Sequence, residues 1–148
     1  MQVRRAAKGL ITYSDGSIVV VKGAKSGRWN LVGGGIKTDE TPEQAFRREA
    51  DEEIVDFIKQ IDNLEEQTGI IRGEITTSKG IKMLAEWTLF KAELQSSPTD
   101  LQIANTDEIS AITTMSLERC LSEQKMSMLA KQAISRYLNP DLMPNVAF

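Results

Sequence analysis

Three glutamates, Glu49, Glu52 and Glu53, stand at i, i+3 and i+4 within one short stretch. On an α-helix, at about 100° per residue, they fall within an arc of about 100° on one face. Like charges so placed repel, each pair costing roughly 0.2–0.5 kcal/mol on an exposed helix. A hard divalent cation reverses that sign, because Mg2+ and Mn2+ prefer oxygen ligands. Mg2+ usually sits with one or two carboxylates, waters and substrate phosphates. Such an ion can bridge phosphate oxygens, neutralise developing charge and lower the pKa of attacking water. The competing reading is a plain solvated acidic helix face. The chain has no histidine and a single cysteine, Cys120. That removes Ser–His and Cys–His nucleophilic mechanisms, His-based zinc sites and an internal disulfide. Acid–base chemistry is left to carboxylates, lysine or tyrosine.

These acids need a helix, and the sequence supplies one. Thr41-Pro42-Glu43 offers an N-cap, a proline at the first helical position and an acid in the first turn. The helix is expected to run to about Asp56. Phe46, Ala50, Ile54, Phe57 and Ile58 fill an arc of about 120° beside the acids and form its core face. Residues 3–13 and 17–21 read as strands joined at Ser14-Asp15-Gly16 into a hairpin. Residues 29–32 form a short apolar strand running into Gly33-Gly34-Gly35, a backbone suited to a tight turn or close approach. Residues 64–74 and 81–94 read as strands, with Ser78-Lys79-Gly80 as the turn between them, and 109–115 as a last strand. Residues 116–121 and 125–138 read as helices, the second with a mostly apolar stripe of Met128, Leu129, Gln132, Ile134, Tyr137 and Leu138. Strands, one helix, more strands and closing helices make an α+β arrangement.

At 148 residues and a net charge of −3, the chain reads as a single domain, 1–148, without the basic surface that duplex nucleic acid demands. No apolar run is long enough for a membrane span, no secretory signal is visible, and a lone cysteine fits the reducing cytoplasm. If the chain self-associates, a homodimer is the commonest form.

Residues 34–56 resemble the Nudix box, G-x5-E-x7-R-E-U-x-E-E-x-G-U with U a bulky aliphatic residue. Gly34, Glu40, Arg48, Glu49, Glu52 and Glu53 match at the right spacing. Chance agreement is on the order of 10⁻⁸ per window at average residue usage, so the match outweighs the solvated-face reading. Ala50 occupies the first aliphatic position, while Val55 and Asp56 replace the glycine and aliphatic residue that close the pattern. Valine does not take a positive φ cheaply, so the chain must leave the helix differently here. Upstream, Arg28-Trp29-Asn30-Leu31-Val32-Gly33-Gly34 resembles the family's W-x-L-P-G-G lead-in, with Val32 in place of proline.

The resemblance implies an α/β/α sandwich around a central mixed sheet, and a metal-dependent hydrolase that cleaves a diphosphate bond in a nucleoside diphosphate linked to another moiety. It implies Mg2+ or Mn2+ held by Glu49, Glu52 and Glu53, Glu53 or an acid outside the box as base, and an Arg48–Glu40 pair holding the loop to the helix. A small-molecule nucleotide would be the substrate, with Gly34, Gly35, Trp29 and Arg5 as binding candidates. Trp29 could equally be a core contact, and Arg4, Arg5 and Lys8 could be ordinary surface charge rather than phosphate ligands. Of two acids outside the box, Glu108 is preferred to Glu86 as a further ligand or base. Cys120 and the Met-containing stripe read as packing. A non-catalytic module for nucleotide sensing or protein interaction is the alternative. A prenyl diphosphate isomerase shares the fold but relies on an active-site cysteine, which Cys120 is poorly placed to supply.

Overall fold

The computed structural model describes residues 1–77 and 79–138. Six strands and three helices follow in the order β1 (Gln2–Thr12), β2 (Ile18–Gly23), β3 (Trp29–Gly35), α1 (Pro42–Glu53), β4 (Ile61–Thr76), β5 (Lys82–Leu94), β6 (Ile109–Met115), α2 (Leu117–Ser122) and α3 (Met128–Tyr137). The sheet order is β4-β5-β1-β3-β2-β6. β1 and β5 run parallel over their whole length, and the other neighbours are antiparallel.

Alternation along the central strands divides the interior into two cores. Ala6 and Leu10 of β1, Ile18 and Val20 of β2 and Leu31 of β3 pack with Cys120 of α2 and with Leu129, Ala130, Ala133 and Ile134 of α3. Their neighbours Ala7, Ile11, Val19, Val21 and Val32 pack on the opposite face with Ala45, Phe46 and Ala50 of α1, and with Ile54 and Phe57 just beyond it. A strand buried on both faces reads as an unbroken apolar run, which is why Ile18–Val21 carries no polar residue. Helices on both faces of a mixed sheet make the α/β/α sandwich.

Three expectations about these strands and the last helix need correction. The β1–β2 hairpin exists only at its turn: the two strands pair at Thr12↔Ile18, and β3 then inserts between them. β4 begins three residues earlier than expected because bulges between Asp62 and Glu65 and between Glu66 and Ile70 absorb residues of turn character. The turn between β4 and β5 falls where it was expected, with the Gly80 N–H donating to the Thr77 carbonyl, and its Ser78 lies outside the described residues. α3 starts at Met128 behind an Ser127 cap, because Lys125 and Met126 are drawn into a bridge with Trp29. Met128 is consequently 67% exposed and leaves the apolar stripe, whose buried side is Leu129, Ala130, Ala133 and Ile134.

The helix that carries the acids begins as expected. The Thr41 hydroxyl accepts from the Gln44 N–H at 3.1 Å, and the Gln44 side chain accepts from the Thr41 N–H at 2.9 Å, a reciprocal cap. Its end differs. α1 stops at Glu53, and Ile54 is already extended and bridged to Ile103. The left-handed residue is Asp56, at φ 49°, one place after the position where the box has glycine. Aspartate tolerates this region better than a β-branched residue. Phe57 therefore reaches the core from a 3₁₀ turn rather than from α1.

Among the described residues, no helix is long and apolar enough to cross a membrane.

Candidate active site

The end of α1 meets the end of β3, and Arg48 ties them together. Its guanidinium grips Glu40 through two bonds, Nε at 2.6 Å and Nη2 at 2.8 Å. Nη2 also donates to the Gly35 carbonyl at 3.0 Å, and Nη1 donates to Glu49 at 2.9 Å with Glu52 at 3.4 Å. A planar fork suits this role, since five fixed donors can serve several acceptors at once. Glu40 accepts a further bond from the Lys37 N–H at 2.9 Å. The Arg48 contact, helped by that amide, holds the Glu40 carboxyl down to about 2.

That depression carries a pH signature. A carboxylate held below its unfolded value stabilises the fold above the unfolded value, and loses that contribution as pH falls through the folded one. With values of 4.5 and about 2, the wild-type advantage in melting temperature over Glu40→Gln should be full above pH 4.5 and should decline between there and pH 2. Thermal melts of both proteins across that range check this.

The three glutamates differ in setting. Glu52 stands half exposed, and Glu49 is mostly buried. Glu49 lies against Gly34 so closely that a Cβ there would come within 2.5 Å of its Oε2. Glu53 is 9% exposed, and its Oε1 accepts from the Gly33 N–H at 2.9 Å. Burial pushes the Glu53 carboxyl up to about 7, with Glu49 and Glu108 adding to the rise and Lys8 and the Gly33 amide opposing it.

Gly33 makes this arrangement feasible. Its φ is +126°, and a Cβ would overlap the Ala7 carbonyl oxygen on β1. Gly33→Ala is expected to cost about 2 kcal/mol of stability, measurable as a lowered denaturation midpoint.

Glu53 opens into a hollow of about 590 Å³ whose walls include Arg4, Lys8, Arg28, Asn30, Glu108 and Ser127. A smaller hollow of about 210 Å³ adjoins it, sharing Arg4, Lys8, Asn30 and Ser127 and adding Gly34, Gly35 and Trp87. Lys8 is buried, and its Nζ lies 5.2 Å from the centre of the Trp87 ring. Desolvation lowers its pKa, against the pull of Glu53 and Glu49.

The structure thus brings Glu40, Arg48, Glu49, Glu53, Gly34 and Gly35 together, with Glu108 across the larger hollow and Glu52 at the margin. Trp29 and Arg5 do not line either hollow. Trp29 packs against the α3-side core, bonded through its backbone to Lys125 and Ser127. Arg5 points to the other face of β1 and meets Glu86 at 3.4 Å, which Arg72 also engages at 2.7 Å. Both Arg5 and Glu86 are thereby occupied in a surface ladder. Trp87, Asn30, Arg28 and Ser127 line the hollows without having been singled out from sequence. Strand pairing reveals Trp87, which sits beside Ala6 through the parallel β1–β5 register.

All candidate ligands are carboxylate oxygens, the donor chemistry of a hard divalent ion. Among the described residues, no three acids, histidines or cysteines close into a ready-made cage. The donor set still fits Mg2+ or Mn2+, because such ions need only one or two carboxylates beside waters and phosphates.

Comparison with known proteins agrees with this picture. The sequence model of the NUDIX domain matches residues 2–137. A MutT-like protein from Streptomyces ambofaciens is 33% identical over 76 residues, 51% of this chain and 45% of that protein. The matched stretch is therefore less than half the length of that curated relative. Among solved structures, the MutT NUDIX hydrolase from Burkholderia pseudomallei superposes with a TM-score of 0.66 at 21% identity, covering 93% of this chain and 99% of the other. The E. coli dihydroneopterin triphosphate pyrophosphohydrolase gives 0.69 at 21% identity, covering 93% and 97%. The NUDIX domain of Shewanella oneidensis NrtR, solved with ADP ribose, gives 0.69 at 17% identity, covering 92% and 86%. At these identities the structures speak for the fold, and the domain match speaks for the family. By its residues 2–137, this chain belongs to the NUDIX domain family.

Proposed function

We propose that the chain is a metal-dependent hydrolase that cleaves a diphosphate bond in a nucleoside diphosphate linked to another moiety. The observation that carries this reading is Glu53: a carboxylate buried at the end of α1, fixed by a backbone amide, and open to a hollow with Arg4 and Arg28 on its walls. A buried acid beside two further carboxylates is costly to fold without a purpose that needs it.

Glu49, Glu52 and Glu53 would hold Mg2+ or Mn2+, which when bound neutralises phosphate charge and acidifies the attacking water. The chain's own residues do the rest. Arg48 orients Glu49 and keeps the Glu40 loop against α1. Arg4 and Arg28 present cations to phosphate oxygens. Asn30 offers an amide to the nucleoside side of the substrate, beside the wall that Trp87 forms in the smaller hollow. Glu53 or Glu108 takes the proton from water, and both face the same hollow. A triphosphate-cleaving neighbour and one with bound ADP ribose support a small diphosphate-containing substrate. The free, buried Cys120 accords with a cytoplasmic setting.

The test is a panel of nucleoside triphosphates, nucleotide sugars, dinucleoside polyphosphates and coenzymes, assayed for release of phosphate-bearing products with Mg2+ or Mn2+. We expect turnover of at least one member, abolished by chelation. The ADP-ribose complex of the NrtR domain keeps a second reading in view, a ligand-binding module without turnover. Saturable binding of a panel member with no product would select it.

A further inference from the structure

We propose that Lys8 is a positioning residue for Glu53, acting through the β3 backbone rather than on the substrate. The inference rests on the reading above in taking Glu53 as the working carboxylate. Lys8 is 9% exposed on the central strand β1. A buried ammonium is costly unless its donors are met, and two carbonyls on the neighbouring strand take two of its three. Nζ donates to the Gly33 carbonyl at 3.2 Å and to the Leu31 carbonyl at 3.4 Å.

Those two carbonyls flank the peptide link between Val32 and Gly33. The N–H of that link is the group that Glu53 accepts from. Lys8 therefore clamps the peptides on both sides of the one that holds the carboxylate. Gly33 is also its register partner, so the clamp spans a single step between adjacent strands. The need is specific to this position. Gly33 has φ +126° and no side chain to limit it, and glycine left alone samples a wide range of backbone states. The Trp87 ring below the ammonium holds it further in place. A lysine serving only as a phosphate ligand would keep its donors free for the substrate. Arg4 and Arg28, on the walls of the same hollow, suit that task better.

The experiment compares Lys8→Met and Lys8→Arg with the wild type. In the metal-free protein, the Gly33 amide proton, bonded to a carboxylate, should lie downfield in a proton–nitrogen NMR spectrum. Lys8→Met should move it upfield and speed its hydrogen exchange, while Lys8→Arg, keeping charge and donors, should restore most of the shift. With a substrate from the panel, Lys8→Met should lower kcat about tenfold with KM changed by less than about twofold. An unmoved Gly33 amide overturns the proposal, and a raised KM at unchanged kcat overturns it and makes Lys8 a substrate contact. If Lys8→Met does not fold, Lys8→Gln, uncharged but polar, is read by the same criteria. Should the wild type turn over nothing, the functional reading falls, and the Gly33 amide in the metal-free protein still decides the role of Lys8.

Discussion

Glu53→Gln is expected to lower turnover about 10³-fold, the scale of losing a positioned acid–base or charge-stabilising group, while leaving the fold intact. The replacement is nearly isosteric, and the amide oxygen can still accept from the Gly33 N–H. What disappears is the negative charge at the mouth of the hollow. Removing it also relieves a burial cost, since Glu53 is pushed up to about 7 chiefly by desolvation. The variant should therefore show native near-ultraviolet circular dichroism and lose turnover alone. Glu52→Gln should cost less, because Glu52 stands half exposed and meets Arg48 only at 3.4 Å. Steady-state assays on the preferred substrate rank the two. If Glu53→Gln stayed within about threefold of the wild type, neither the ligand role nor the base role could belong to that residue.

Arg48→Ala should produce the second largest effect, on activity and stability together. The side chain joins Glu40, Gly35 and Glu49 in one hub. Its removal leaves carboxylates of one sign facing each other. Charge-assisted hydrogen bonds of this kind are worth about 1.5–3 kcal/mol each and do not add. A loss of about 2 kcal/mol is expected, lowering the melting temperature by about 4–8 °C. Turnover should fall about 10²-fold, because misplacing a catalytic group by about 1 Å is enough for that. Arg48→Lys should resemble Arg48→Ala more than the wild type, since a point charge cannot reproduce a two-bond grip on Glu40. A melting curve and a rate unchanged in Arg48→Ala would show that the loop and helix hold without it.

Local chemistry explains what the sequence made legible. The acidic spacing and the Thr41-Pro42 start both act within a turn or two of helix, so they can be read from neighbours alone. The β-branched run of β2 announced a strand for the same reason. Features that depend on distant pairing stayed hidden. Lys8 looked like one more cation on an early strand. It is buried because β5, some eighty residues later, pairs along the full length of β1 and makes that strand central. Trp29 attracted notice by standing near the box, whereas Trp87, far along the chain, lines the hollow. The departures Val55 and Asp56 promised a different helix exit, but only the backbone shows that aspartate takes the left-handed turn and that Ile54 is stapled to Ile103. Gly33 was visible as part of a glycine run, and its bond to Glu53 was not.

β4 lies at one edge of the sheet and is sixteen residues long. A straight edge of that length would be a template on which another copy could zip up and seed aggregates. The two bulges cut it. Only the stretch from Ile70 to Thr76 pairs with β5 in unbroken register, and it bears Arg72 and Glu74, both charged and exposed. The irregularities in β4 thus shorten the regular edge that the sheet presents to another strand.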